Sequence, residues 1–372
     1  MPHDDVTQGI PRPGKTPIQL IDETGRPADP ERSGGFETPG EQELLRLFRG
    51  MTLARRFDVQ VTALTRQGRL ATYPSAQGQE ATEIAAVQAL SPQDWLFPTY
   101  RDTIALLERG VAPVQLLSFF RGDWHTGFDP REFRISPQAT PLATQTLHAA
   151  GLGTAIKLRG DDAIAMTFVG DGATSEGDTH EAFNFAAVWH APVVFIIQNN
   201  QYAISVPNDK QFTSRCLADR AIGYRLPGYW VDGNDAAAMS AVIRQAVERA
   251  RSGGGPSIVE AHTYRREAHT NSDDPSRYRE RSEEKEWARR DPLERLDVYL
   301  TERGVLDDEV RTGLEREAEE LAAATRECMN EEPDLDPLEI FDHVYAEPRA
   351  ALAEQRAALA AELAASETEV TA

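Results

Sequence analysis

The chain has 372 residues, with 39 basic and 60 acidic side chains and a formal net charge of −21. That balance excludes a surface built for nucleic-acid phosphates or anionic lipid, which need concentrated positive charge. No apolar run reaches the roughly 18–20 residues of a membrane span. Only Lys15, Lys157, Lys210 and Lys285 are lysines, so arginine supplies nearly all the positive charge. Arginine in place of lysine together with excess acid fits a surface adapted to concentrated salt, where screening relieves the self-repulsion. Two cysteines, Cys216 and Cys328, cannot build a disulfide framework, and the acidic N-terminus has no apolar signal core. A cytoplasmic setting is expected.

Residues 1–40 are rich in Pro, Gly and charge, and are expected to form an arm over a neighbouring surface or to be partly disordered. From Glu41 apolar residues recur at helical steps (Leu44, Leu47, Phe48, Met51, Ala54, Phe57, Val61, Leu64), and this helix should end near Gly68. Further helices are expected over 79–90 and 102–110. Residues 121–141 are irregular, which in a compact protein marks a functional loop; His125 lies in it. The middle of the chain then alternates. Ala163–Val169, Pro192–Ile197, Tyr229–Asp232 and Ser257–Ala261 read as buried strands, and 177–190 and 235–251 as helices. Alternation with continuous apolar strands predicts an α/β fold, a parallel sheet with helices on both faces. Residues 264–292 are dense in charge and are expected to be a loop that orders on binding. The rest, to about Tyr345, is helical. The expected division is an N-terminal arm (1–40), one cofactor-binding domain (41–346) and an Ala/Glu-rich helical tail (347–372).

Chemistry concentrates at two strand ends. Gly170-Asp171-Gly172 follows one buried strand and Asn199-Asn200 follows the next. A right-handed crossover makes these strands neighbours, so both motifs emerge at carboxyl ends of the sheet. Asp171 and Asn200 then face one hard cation, and the flanking glycines let backbone N–H groups approach a phosphate. Alone, Gly-Asp-Gly is a turn and Asn-Asn a helix cap or loop. The pair, each directly after a buried strand, argues for more.

This pair resembles the thiamine diphosphate motif. With RQGRLATYPSAQGQEA, LFPTYRD, PLATQ and EAHTNSDDPSRYR in the same order, the chain resembles the alpha subunit of the decarboxylating component of 2-oxoacid dehydrogenase complexes. The resemblance implies a thiamine diphosphate-binding fold, with Mg²⁺ on the Asp171 and Asn200 side chains and the Tyr202 carbonyl. Gly172 and Ala173 would hold the diphosphate through backbone amides, and Arg101 through its guanidinium. Tyr100 would line the pocket near the substrate. Thr140 and Leu142 would meet the aminopyrimidine. Gln198 stands where some relatives carry a phosphate-binding arginine, so either one phosphate contact is weaker here or Gln198 hydrogen-bonds the diphosphate in its place. His269 matches the family's active-site histidine, and an imidazole titrating near neutrality suits that work. Thr144 and Gln145 match a K⁺ segment of some members, but Ala139 offers no hydroxyl. Thr270, where some relatives carry a regulatory phosphoserine, is read as a plain loop threonine. Arg265 and Arg266 are read as partners for the acids of their own loop.

The implied reaction is decarboxylation of a 2-oxoacid and transfer of the acyl group to a lipoyl arm. One cofactor half-site is legible, so the implied assembly is an α₂β₂ heterotetramer with a beta subunit, serving a lipoyl acyltransferase core with dihydrolipoyl dehydrogenase. Runs 66–81 and 269–279 resemble pyruvate-type subunits, and 141–145 resembles branched-chain ones. Pyruvate is the expected substrate, with branched-chain 2-oxoacids next. An acetoin dehydrogenase alpha subunit or another two-chain thiamine diphosphate enzyme is the alternative, and a non-catalytic scaffold a remoter one.

Overall fold

The computed structural model describes residues 9–123, 126–331, 333 and 335–370. The elements of the larger unit, in chain order, are α1 (Glu41–Arg66), α2 (Glu80–Gln88), β1 (Trp95–Phe97), α3 (Thr103–Glu108), α4 (Pro113–Arg121), α5 (Pro130–Phe133), α6 (Thr144–Arg159), β2 (Ala165–Gly170), α7 (Gly177–Trp189), β3 (Val193–Asn199), β4 (Tyr202–Ala203), β5 (Val206–Pro207), α8 (Arg220–Gly223), β6 (Gly228–Asp232), α9 (Ala236–Arg251), β7 (Ser257–His262), α10 (Arg281–Ala288), α11 (Pro292–Glu302) and α12 (Asp308–Cys328). This unit ends at Asn330; the residues from Glu331 onward form a second one, built around α13 (Ala350–Val370).

β1, β2, β3, β7 and β6 lie side by side in that order, all parallel. β2 and β3 are paired neighbours with Gly170 beside Gln198, as the crossover rule requires. β3 is buried along its whole length. Val194 and Ile196 join a core with α1, α2 and α9, whereas Val193, Phe195 and Ile197 join another with α6 and α7. A strand apolar on both faces is the mark of a sheet covered on both sides. Phe183 of α7 packs edge-on against Phe195, with ring centroids 4.9 Å apart.

Both sheet edges are covered. Beside β1, Leu96 pairs with Ile135: Leu96 N donates to Arg134 O at 2.9 Å and Ser136 N to Leu96 O at 2.9 Å. Beside β6, the N-terminal segment lies on this chain's own sheet. Ile18 pairs with Val231, its N–H reaching Trp230 O at 2.7 Å, and Asp232 N reaches Ile18 O at 2.9 Å. An open strand edge invites pairing with other chains, so both segments protect the fold. Ile18, Leu20 and Ile21 are buried.

The charged stretch 264–292 differs from the expected loop. Part of it is the helix α10, and several of its charges are held by other groups of the protein. Arg279 donates to the carbonyls of Arg265 and Glu267 and lies 5.5 Å from the Tyr264 ring centroid. Trp287 of α10 stacks on Tyr264 at 5.3 Å. Guanidinium groups can be buried this way because carbonyls and aromatic faces answer the charge.

Asp235 ties three parts together. Its Oδ1 caps α9 through Ala237 N and Ala238 N, at 3.0 and 3.2 Å, while its Oδ2 accepts from Leu20 N and Ile21 N at 2.6 and 2.8 Å. Replacing Asp235 with Ala removes a cap worth about 1 kcal/mol and leaves buried N–H groups that cost about 1–3 kcal/mol each. Chemical denaturation should register a loss of at least about 2 kcal/mol, with trypsin cutting after Arg32 sooner than in the parent protein.

Candidate active site

The carboxyl ends of β1, β2, β3 and β7 converge on one cavity of about 590 Å³. Ligands in open α/β sheets bind at that end of the strands. Tyr100 and Arg101 sit in the turn after β1, which Asp102 holds by accepting from Thr99 N at 2.6 Å. Asp171, Gly172 and Ala173 follow β2 directly. Gln198 is the penultimate residue of β3, and Asn200 and Tyr202 come just after it. Thr140 and Leu142 precede α6. His269 lies on the segment leaving β7. These eleven residues all line the cavity.

The backbone here is forced. A Cβ on Gly172 would lie 2.6 Å from the Ala203 Cβ, so only glycine lets the β2 turn press against the β4–β5 hairpin. Three non-glycine residues at or next to the cavity have positive φ: Ala143 at 64°, Gln201 at 76° and Ile204 at 56°. For a β-branched residue such as Ile204 this is a true outlier, and such strain concentrates where a fold must aim groups at a ligand.

Asp171 is buried, accepts from Gln211 Nε2 at 3.1 Å, and is pushed up to about 6 by loss of solvent. Asn200 donates its amide to Gln79 Oε1 at 2.9 Å, which leaves Oδ1 as its acceptor. A buried carboxylate beside an amide oxygen and backbone carbonyls is a hard-oxygen donor set suited to Mg²⁺. Among the described residues no three His, Cys, Asp or Glu gather into a metal cluster. A cation here would therefore draw further oxygens from an anionic ligand and water, which is the habit of Mg²⁺ on a diphosphate.

Two guanidinium groups face His269. Arg101 is buried; its Nη1 donates to Ser75 O at 2.9 Å, and its Nη2 lies 3.0 Å from His269 Nδ1 and 3.2 Å from His269 O. Arg265 Nη1 lies 3.3 Å from the same Nδ1, and its Nη2 donates to Ile204 O at 2.7 Å and the Tyr278 hydroxyl at 2.9 Å. Guanidinium nitrogens only donate, so Nδ1 accepts and the imidazole proton sits on Nε2. Burial first, then Arg101 and Arg265, push the imidazole down to about 4; Asp273, which accepts from His269 N at 2.8 Å, pulls it back only in part. The expected titration near neutrality is thus overturned. His269 is a neutral hydrogen-bond donor, not a half-charged acid.

One further reading changes and one open reading narrows. Arg265 lines the cavity instead of pairing with loop acids, while Arg266 does pair with Asp291. The available signal for Arg265 was its position just past a strand end, the same signal that singled out Asp171. Gln198 turns its amide nitrogen to Glu83, with Nε2 donating to Oε1 at 3.3 Å, which favours the weaker phosphate contact over a bond to the diphosphate. Gln145 donates to Phe168 O at 2.9 Å. Thr270 lines the cavity. His125 lies outside the described residues.

Comparison with known proteins bears on this site. A family model described as dehydrogenase E1 component matches residues 48–337. The chain is 42% identical over 331 residues to the 3-methyl-2-oxobutanoate dehydrogenase subunit alpha of Mycobacterium tuberculosis, covering 89% of this chain and 90% of that one. It is 38% identical over 309 residues to the pyruvate dehydrogenase E1 component subunit alpha of Acholeplasma laidlawii, covering 82% and 90%. The corresponding Staphylococcus aureus subunit is 37% identical over 318 residues, covering 85% of each.

Nitrogen-15 NMR of the ligand-free protein should find the His269 ring neutral and protonated on Nε2 down to about pH 5, with its midpoint near 4. Asp273→Asn should lower that midpoint further. The folded midpoint lies below the unfolded one of 6.5, so the unfolded state binds the extra proton. This group's contribution to stability is present above about pH 6.5 and is lost as pH falls toward 4. A midpoint near 6.5 would contradict the two-arginine geometry.

Proposed function

The chain belongs to the dehydrogenase E1 component family, and we propose that its cavity clasps the Mg²⁺-diphosphate end of thiamine diphosphate for decarboxylation of an aliphatic 2-oxoacid. It is an oxidoreductase subunit, the alpha chain of a 2-oxoacid dehydrogenase component, and it acts in a complex with a beta subunit. One observation carries the reading of the site: a buried Asp171 carboxylate, the glycine-restricted Gly172 backbone and the buried Arg101 guanidinium all line one cavity.

Asp171, Asn200 Oδ1 and the Tyr202 carbonyl would hold Mg²⁺. The amides of Gly172 and Ala173 and the Arg101 guanidinium would hold the diphosphate, which answers how so acidic a chain binds a polyanion. Thr140 and Leu142 would meet the aminopyrimidine. When bound, the thiazolium supplies the electron sink that loss of CO₂ needs. The chain's own contribution is orientation and hydrogen bonding. His269 offers a fixed Nε2–H, a preorganised donor for an oxygen on which negative charge develops. Its ring lies edge-on to Tyr100, centroids 6.1 Å apart, so each ring fixes the other.

The alpha chain holds one half of the site, and the beta subunit would supply the glutamate facing the pyrimidine and much of the acyl pocket. An α₂β₂ assembly is supported by the apolar face of α7, where Phe185, Val188 and Trp189 are 39%, 64% and 44% exposed and the Phe185 and Trp189 rings stack at 4.8 Å. The acyl group would pass to a lipoyl acyltransferase core served by dihydrolipoyl dehydrogenase.

Substrate preference is proposed to favour 3-methyl-2-oxobutanoate over pyruvate, an order different from the one expected from motif runs alone. The branched-type segment supplies Pro141, Leu142, Ala143 and Gln145 to the cavity wall, and the relative of that type has the higher identity of those compared. Pyruvate is the second reading, favoured by the runs carrying Thr72, Pro74 and His269.

Co-expression with the beta chain, at low and molar KCl, should yield Mg²⁺-dependent thiamine diphosphate binding and 2-oxoacid decarboxylation, with the higher kcat/KM on the branched substrate. Asp171→Asn should lower kcat/KM at least about 100-fold, and His269→Ala about 100- to 1,000-fold. Substantial turnover by this chain alone would sink the divided site. Trp189→Glu should leave the chain folded by circular dichroism but monomeric by light scattering in the presence of the beta chain.

A further inference from the structure

Behind the cavity wall lies a polar cluster that the proposed reaction does not use. Gln79, Glu83, Asp102 and Gln198 are each at most 2% exposed, and among the described residues neither carboxyl has a salt-bridge partner. Burying such groups is costly unless each donor meets an acceptor. The connections run in one direction. Glu83 Oε1 accepts both from Gln79 Nε2 at 3.1 Å and from Gln198 Nε2 at 3.3 Å, while its Oε2 accepts from Ala105 N at 3.3 Å. Gln79 then presents its Oε1 to Asn200 Nδ2 at 2.9 Å.

An amide has a donor end and an acceptor end, and they are opposed. With an acceptor at Glu83, the NH₂ of Gln79 must turn toward Glu83. Its oxygen must then turn toward Asn200, which in turn must offer NH₂ to Gln79 and keep Oδ1 for another partner. A flip of Gln79 would set oxygen against oxygen at Glu83 and NH₂ against NH₂ at Asn200. The relay needs only that Glu83 Oε1 accept, which it does when the carboxyl is ionised or carries its proton on Oε2.

We infer that Glu83 is a positioning residue: through Gln79 it fixes which end of the Asn200 amide faces the cavity, and through Gln198 it closes the wall beside it. The inference rests on the reading of Asn200 as a Mg²⁺ ligand, because only the oxygen end of that amide coordinates a hard cation. Outer partners of this kind typically govern metal affinity by about 10- to 100-fold. Glu83 touches neither metal nor substrate, so its effect should appear in cation binding before it appears in turnover.

The test uses the complex with the beta chain and follows thiamine diphosphate binding by titration calorimetry at graded Mg²⁺. Glu83→Leu should raise the Mg²⁺ concentration needed for half-saturation by about 10- to 100-fold, whereas Glu83→Gln, which keeps an acceptor oxygen, should stay within about threefold. Gln79→Leu breaks the relay at its other link and should give the same loss, with the double variant no worse than either single one. That non-additivity separates a relay from two independent packing defects. Wild-type Mg²⁺ dependence in both Leu variants, or fully additive losses, would overturn the inference. If Glu83→Leu fails to assemble, Gln79→Leu against Glu83→Gln decides the question alone. Failure of the unmodified complex to bind thiamine diphosphate with Mg²⁺ would instead overturn the reading of the site itself.

Discussion

Charge taken out of water governs this molecule. At the head of the sheet Asp171, Arg101 and Arg265 are all buried, and Glu83 and Asp102 lie directly behind them. Each must be answered locally, because long-range compensation is weak and an unanswered buried charge costs several kcal/mol. The arginines are answered by backbone carbonyls: Ser75 and His269 for Arg101, Tyr202 and Ile204 for Arg265. Burial raises the proton affinity of both Glu83 and Asp102, the charge of Asp102 adds to the rise at Glu83, and amides and backbone N–H groups crowd around them. Asp171 is answered by Gln211, by backbone amides including that of Gly172 and by the charge of Arg265, yet burial still holds its proton affinity above the usual carboxylate range. A site where one carboxylate remains under-compensated is a site prepared for a cation.

The same constraint explains the character of His269. An isolated histidine would titrate through neutrality and switch roles with pH. Between two guanidinium groups it cannot, because a proton on Nδ1 would have to displace a donor. The result is a residue with one state over the useful pH range and one donor direction. Pre-setting a donor in this way costs stability at low pH and spares reorganisation when charge develops on a ligand.

Much of this was legible in the chain. Parallel strands with continuous apolar runs announce themselves, and motifs placed directly after such strands are delivered to one edge by topology alone, as Asp171 and Asn200 are. β1 was not legible, because three residues carry no periodicity and its placement depends on pairing with β2. The arm's docking on β6 was equally hidden, since Ile18 meets Val231, and Leu20 meets Asp235, only in three dimensions. Arg265 and Glu83 escaped for a shared reason. A charged side chain reads as solvated, whether it stands in a charged stretch like Arg265 or on an apolar helix like Glu83, and only the packed structure reveals that they are 1% and 0% exposed. The direction of an amide, on which Gln198 and Asn200 both turn, has no trace in sequence at all.

The strap on β6 also has a consequence for how the chain is made. Leu20 and Asp235 are separated by 215 positions, yet their contact secures the last edge of the sheet. Synthesis at about 5–20 residues per second means that the strap leaves the ribosome roughly ten to forty seconds before its partner exists. During that interval Ile18, Leu20 and Ile21 have nothing to bury against, and the segment must stay out of the way without aggregating. Its proline- and charge-rich surroundings suit that wait, keeping a short apolar stretch extended and solvated until β6 arrives to receive it.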